Sequence, residues 1–404
     1  MPPPHDWSVA AIVAANDAQA ATATARRRSH RKSSRVGCAE CKRRHIRCDK
    51  LRPVCDHCTA ACRQQTAPGD SSSPGNGADD TRPVYTAHHL ALLHHAATAL
   101  DDHVMARGQT RRIVDIAVRH AVDAPYLIDQ VLALSALHLA TSGSASTPSS
   151  SSALPRGMET PSVLRHAATE LQTRAVACFI RHTSPQQQQQ RQDADDASVP
   201  RILFASTLSL HVLADTLADV GRLPFHRVLD RFVECLRLHH GVRAVIRPTW
   251  EHLERSEIEP LLSVARAAST PTARDRHECR RLTALLDASD LGPSTLAACR
   301  AAVDILQWAF DMYAHLDDVA AAGPHAASVF CVTVGSDYVD VLQRHQPEAL
   351  VILAHYAVLL HRCRAFWAFG PAGAAMVRAV AHHLGDYWAG AMAWPLRLVA
   401  DENS

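Results

Sequence analysis

The 404-residue chain has no apolar run approaching the eighteen or so residues that a membrane helix requires, so the sequence offers no obvious span. It also lacks G-x-S-x-G, G-x-x-x-x-G-K-[ST], H-E-x-x-H and H-x-E…C-x-x-C. A nucleophile elbow, a phosphate-cradling loop, a zinc-protease pair and a deaminase site are thereby without their residues, and the reading is of a protein that is not an enzyme. Alternating apolar and polar stretches of strand length are missing, which argues against a β-rich body. The first 25 residues are rich in Ala and Pro but carry Asp6 and Asp17 and no basic n-region, so they do not read as a secretory leader. Arginine first occurs at Arg26, too late for an obvious transit peptide.

What is present is concentrated between residues 26 and 62. Six cysteines, Cys38, Cys41, Cys48, Cys55, Cys58 and Cys62, are spaced C-x2-C-x6-C-x6-C-x2-C-x3-C. Thiolates are soft ligands, and two cysteines two residues apart can grip one tetrahedral zinc from a single turn. Six in 25 residues leave no room for a hydrophobic core, so metal must hold this segment together. Twelve Lys or Arg lie between Arg26 and Arg52, against only Glu40 and Asp49. A metal-stapled, strongly basic mini-domain points to nucleic acid.

These residues resemble the fungal Zn2Cys6, or binuclear zinc cluster, transcription factors. The likeness covers residues 37–62, where C-K-R-R-H-I-R-C-D-K-x-R-P-x-C is close to the wording of that family. The resemblance implies two zinc ions sharing six thiolates, with Cys38, Cys41, Cys48 and Cys55 on one ion and Cys38, Cys55, Cys58 and Cys62 on the other. Six thiolates and two Zn2+ leave a core of about −2, which Lys42, Arg43, Arg44 and Arg47 offset, with charge to spare for phosphates. One feature departs from the family: Cys58 and Cys62 enclose three residues where six or more are usual. Two tetrahedral sulfurs at Zn–S bonds of about 2.3 Å lie roughly 3.8 Å apart, so C-x3-C can still chelate. The shortening removes most of the helix of the second half-site, and a damaged second half stays open as the alternative.

Lys42 to Arg47 contain no Gly or Pro and suit one short helix. The resemblance places that helix in the major groove over a CGG-type triplet, with His45 at the main base-reading position and Arg44 before it. Arginine reads guanine O6 and N7 well, and a histidine supplies one good bond. Base contact by Arg44 or His45 therefore stands beside plain phosphate neutralisation by all four basic residues; Lys50 and Arg52 read as phosphate contacts. Arg26, Arg27, Arg28, Arg31, Lys32 and Arg35 suit nuclear import and non-specific DNA attraction, or a solvated arm.

The rest of the chain balances the basic segment, bringing the formal net charge to +2. The expected organisation is a disordered N-terminus over 1–29, the zinc-cluster DNA-binding domain over 30–66, a linker over 67–84 and an all-α regulatory domain over 85–400. Polar loops are expected near 141–160 and, with Gln186 to Gln190, near 184–199. Pro125 fits a first helical turn, followed by Leu127, Val131, Leu134 and His138 at helical spacing. Leu203, Leu210, Leu213 and Leu217 form a second stripe, and Val228, Phe232, Cys235 and Leu236 a third. Residues 350–360 are apolar nearly all round, as in a buried central helix. YLIDQVLALSALHLA, LRHAATELQTRAV and LLHRCRAFW resemble the fungal-specific regulatory domain, in the branch of the sterol-uptake regulators. That likeness implies a small hydrophobic ligand or the transcription machinery as partner, without assigning ligand residues.

Other clusters have plainer readings. His88 with His95, or His89 with Asp101, could be imagined as a metal site, but the adjacent pairs His88–His89 and His94–His95 point apart on a helix and read as surface or core histidines. Cys178, Cys235, Cys279, Cys299, Cys331 and Cys363 are scattered singly and read as reduced core thiols. Phe366, Trp367, Phe369, Tyr387, Trp388 and Trp394 line an apolar pocket or simply pack a core. Residues 63–84 hold no heptad repeat, so a coiled-coil dimer is not indicated and oligomeric state stays open. The reading is a nuclear, sequence-specific, zinc-dependent regulator of RNA polymerase II transcription that binds double-stranded DNA at a CGG-like half-site. The alternative is a protein-interaction regulator whose shortened cluster no longer binds DNA specifically.

Overall fold

The computed structural model describes residues 84–100, 109–142, 160–183, 198–246, 256–258, 278–314 and 319–400. All of these belong to one compact unit, distinct from residues 17–83. Among the described residues every regular element is helical: α1 (Ala87–Thr98), α2 (Gln109–Arg119), α3 (Pro125–Ser142), α4 (Pro161–His182), α5 (Ser198–Ala218), α6 (Phe225–Ile246), α7 (Arg280–Asp287), α8 (Pro293–Ala314), α9 (Val319–Thr333), α10 (Ser336–Gln343), α11 (Pro347–Arg362), α12 (Ala372–Leu384) and α13 (Ala389–Ala400), with a 3-10 turn at Asp386–Trp388.

Proline begins α3, α4, α8 and α11, where its missing N–H costs nothing and its φ is already helical. At α1 the Thr86 N–H donates to Nδ1 of His89, 2.9 Å away, the return half of a capping box made with a histidine. The expected stripes are the buried faces: Leu127, Val131 and Leu134 on α3, Leu203, Leu213 and Leu217 on α5, and Val228, Phe232, Cys235 and Leu236 on α6. In α11 every residue from Glu348 to His361 is buried, as the all-round apolar pattern requires. It is packed by α12, α13, α8 and α9. Of the expected loops near 141–160 and 184–199, Thr141 and Ser142 continue α3 while Ser198 and Val199 open α5; apart from Thr160, their other residues lie outside the described ones.

Two hydrophobic cores result. The larger joins α6 through α13 and reaches α1, α3, α4 and α5; the smaller is built by α2, α3 and the first half of α5, with Ala96 of α1, Leu100, Ala175 and Cys178 of α4, and Ile258. One helix differs from the sequence expectation. Val199–Ala218 is long and apolar enough to cross a membrane by length and composition, at a mean hydropathy of 1.2. It escaped notice because Thr207, Ser209, His211 and Thr216 interrupt the apolar letters. Its window is 67% buried inside the body, the behaviour of a core helix. Thr207 and Thr216 each donate to the carbonyl four residues back at 2.7 Å, which makes hydroxyls tolerable in that interior.

His355 follows the same local solution and, with buried His211, carries a pH dependence. His355 Nδ1 sits 2.9 Å from the Val351 carbonyl, and burial pulls its pKa down to about 4; His211 is pulled to about 4 by burial too, with Asp215 opposing. Both stay neutral in the folded chain while their unfolded forms bind a proton near pH 6.5. The stability they contribute is thus whole above pH 6.5 and is lost as pH falls from there toward 4. Between pH 7 and pH 5 the pair is expected to cost ~4 kcal/mol of unfolding free energy. Urea titrations at the two pH values check this; a His211→Gln, His355→Gln double variant should lose most of the difference, and equal differences in both proteins would contradict it.

Candidate functional site

The residues singled out for metal, Cys38, Cys41, Cys48, Cys55, Cys58 and Cys62, and those for DNA, Lys42, Arg43, Arg44, His45, Arg47, Lys50 and Arg52, all lie outside the described residues. So do the linker residues before Val84. Among the described residues no three His, Cys, Asp or Glu side chains are grouped to hold a metal ion. The six single cysteines are free and buried. Burial pushes the thiols of Cys331 and Cys363 up to about 12 and that of Cys299 to about 11. A thiol held protonated is a poor ligand and a poor nucleophile, so these cysteines contrast with the basic-flanked six.

A buried polar cluster ties the first described residues to α3 and α4. Tyr85 precedes α1 and donates its hydroxyl to Asp129 Oδ1 on α3 at 3.0 Å. Arg174 on α4 binds the same carboxylate with both prongs, Nε to Oδ2 at 2.7 Å and Nη2 to Oδ1 at 2.6 Å. Its guanidinium also lies 5.5 Å from the Tyr85 ring centroid. The Asp129 side chain is 2% exposed, so three hydrogen bonds replace the water it has lost. Burial, then the charge of Asp129, raises the Tyr85 hydroxyl above its ordinary pKa, and the bond to Asp129 raises that of Arg174. This is a clamp joining α1, α3 and α4. Sequence reasoning missed it, although one signal was present: Asp129 is the lone acid in the apolar phrase YLIDQVLALSALHLA.

The histidines considered as ligands are spent elsewhere. His89 caps α1, His95 Nε2 sits 2.9 Å from His138 Nδ1, and Asp101 lies outside the described residues. The neighbours His239 and His240 point apart, to the carbonyls of Cys235 and Val334. The aromatic residues are spread over different surroundings. Phe366 and Phe369 are core residues, Trp394 stacks on His355 with centroids 4.9 Å apart, and Tyr387 is 92% exposed. An open depression on α6 is lined by Arg227, Asp230, Arg231, Glu234 and Arg237 together with Leu223, Val233 and Gln343.

Two comparisons with known proteins bear on this arrangement. The chain is 24% identical, over 467 aligned positions, to a Zn(2)-C6 fungal-type transcription factor of Gibberella zeae, covering 94% of this chain and 88% of that protein. It is 33% identical over 129 positions to the Zn(2)-C6 fungal-type transcription factor afumD of Aspergillus fumigatus, covering 28% of this chain and 34% of that one. Both relatives are named as zinc-cluster transcription factors. The longer match leaves about 24 of 404 residues unaligned, fewer than the 37 that precede Cys38. Its span therefore includes the cysteine run together with the helical body. No protein-family model matches the chain, and no solved structure does.

Proposed function

We propose that the chain is a fungal zinc-cluster transcription regulator, in which residues 30–66 bind DNA and the helical body regulates that activity in the nucleus. The observation that carries the reading is the six-cysteine, basic-interleaved run within a near full-length similarity to a protein of that description. Six local thiolates suit two zinc ions and nothing harder, and with zinc bound they lend the segment the order its composition cannot supply. Cys38, Cys41, Cys48, Cys55, Cys58 and Cys62 would hold the two ions, which would supply the cross-links that a hydrophobic core cannot. Lys42, Arg43, Arg47, Lys50 and Arg52 neutralise phosphates, and Arg44 with His45 reads a CGG-like triplet. The part of the helical body in this reading is to hold and present that domain, through helix packing and the Tyr85–Asp129–Arg174 clamp.

The test is competition at fixed salt between CGG-containing and scrambled duplexes on the zinc-loaded full chain. The expected result is a preference for the CGG duplex of about a hundredfold or more, reduced by Arg44→Ala and abolished by Cys38→Ser. Equal binding of both duplexes, falling steeply with salt, would mean a basic arm alone. The short gap between Cys58 and Cys62 favours a second reading, a regulator that works through protein contacts, and equal binding would bring it to the front.

A further inference from the structure

Helix α10 ends in a turn that ordinarily asks for glycine. After the cap residue Arg344, His345 has a φ of 57°, the one positive φ among the described non-glycine residues. Its N–H donates to the Leu342 carbonyl at 3.0 Å, a helix ending in which a residue without Cβ is favoured. A histidine there holds a strained backbone, and such strain gathers where a side chain has to be presented. The His345 ring meets that of His383, in the last turn of α12, with centroids 5.5 Å apart and planes at 59°. Phe225, the first residue of α6, backs both rings, at 4.7 Å from His383 and 6.5 Å from His345. Neither imidazole takes part in a hydrogen bond or ion pair among the described residues.

We propose that His345 and His383 form a two-histidine site for a divalent late first-row transition ion, Zn2+, Ni2+ or Cu2+, which joins the turn between α10 and α11 to the end of α12. Two imidazoles on one tetrahedral ion, with metal–nitrogen bonds of about 2.0–2.1 Å, keep their ring centroids roughly 5 Å apart. The observed spacing therefore needs little adjustment. Neutral imidazole suits these ions and is a poor match for Mg2+ or Ca2+. Burial, then His345 and His382, lower the His383 pKa, which favours the neutral, ligating form of that ring. The carbonyl end of α12 adds a favourable field for a cation. His382 is no third ligand, because adjacent helical side chains point apart. No third His, Cys, Asp or Glu is grouped with the pair among the described residues, so water fills the remaining positions and the ion exchanges readily. The site uses no residue of 30–66 and is independent of the zinc-cluster reading.

Ni2+ is the probe, titrated into the zinc-loaded full chain with bound zinc counted on the same samples. His345→Gln and His383→Gln are each expected to weaken one bound Ni2+ about a hundredfold, while His382→Gln binds as the parent does. Hydrogen exchange locates that ion: Ni2+ should slow peptides over 343–347 and 381–385 in the parent and in neither ligand variant. His345→Gly separates the ligand from the fold. Without Ni2+ it should be at least as stable as the parent, since glycine suits the turn, yet its thermal midpoint should not rise with Ni2+ as the parent's does. Equal Ni2+ binding by the parent, His345→Gln and His383→Gln overturns the proposal. Loss of the ion in His382→Gln, or a midpoint of His345→Gly that rises with Ni2+ as the parent's does, overturns it as well.

Discussion

Gly373→Ala is expected to lower stability by ~3 kcal/mol or more, and the thermal midpoint by about 10 °C. A Cβ at Gly373 would stand 2.4 Å from the His361 nitrogen, 2.6 Å from the Ala357 carbonyl oxygen and 2.8 Å from the His361 Cα. All three are backbone atoms of α11, so no rotamer change relieves the contact and α12 must move away bodily. That separation opens a seam beside Met376, Val377 and Val380, each fully buried. Gly390→Ala is the control. Gly390 is also helical, but its added Cβ meets nothing within 4 Å, so the change should be neutral or stabilise by about 0.5 kcal/mol through the unfolded state. Calorimetry on both variants decides it; equal midpoints for Gly373→Ala and the parent would contradict the close crossing.

Arg174→Ala is expected to cost about 3–5 kcal/mol. The loss is not the worth of the ion pair itself. It is the penalty for leaving the Asp129 carboxylate, 2% exposed, with only the Tyr85 hydroxyl for company. Two consequences separate this account from simple loss of side-chain packing. Removing both charges, as Arg174→Met with Asp129→Leu, should cost less than Arg174→Ala alone, because no charge is then stranded. Arg174→Lys should recover only part of the loss, since an ammonium cannot reproduce the two-pronged bond. Urea unfolding of the three proteins measures it, and a double variant weaker than Arg174→Ala would contradict the clamp.

The parts of this molecule that could be read from the letters are those with local causes. Pro125 and the stripe behind it announced α3, and the all-round apolar run announced α11, because a helix's burial is written in its own periodicity. The cysteine run stands out in the letters for the same reason, its members being near neighbours in sequence, though it lies outside the described residues. What stayed hidden depends on distant pairings. Asp129 and Arg174 are 45 residues apart, and Gly373 matters only because α11 passes beneath it. The aromatic letters from Phe366 to Trp394 looked like one group, yet the fold sends Phe366 and Phe369 into the core and leaves Tyr387 outside. The α5 helix shows the reverse failure: its polar letters masked a helix as apolar overall as a membrane span, which the body buries.

The measurement that bears most directly on the central claim is zinc per chain in the purified full-length protein, for the parent beside Cys62→Ser and Cys38→Ser, with CGG preference read on the same samples. Two zinc ions in the parent are predicted, with fewer in Cys62→Ser, fewest in Cys38→Ser, and the DNA preference falling in step. A parent that holds no zinc and binds CGG and scrambled duplexes alike would contradict the zinc-cluster account at its root.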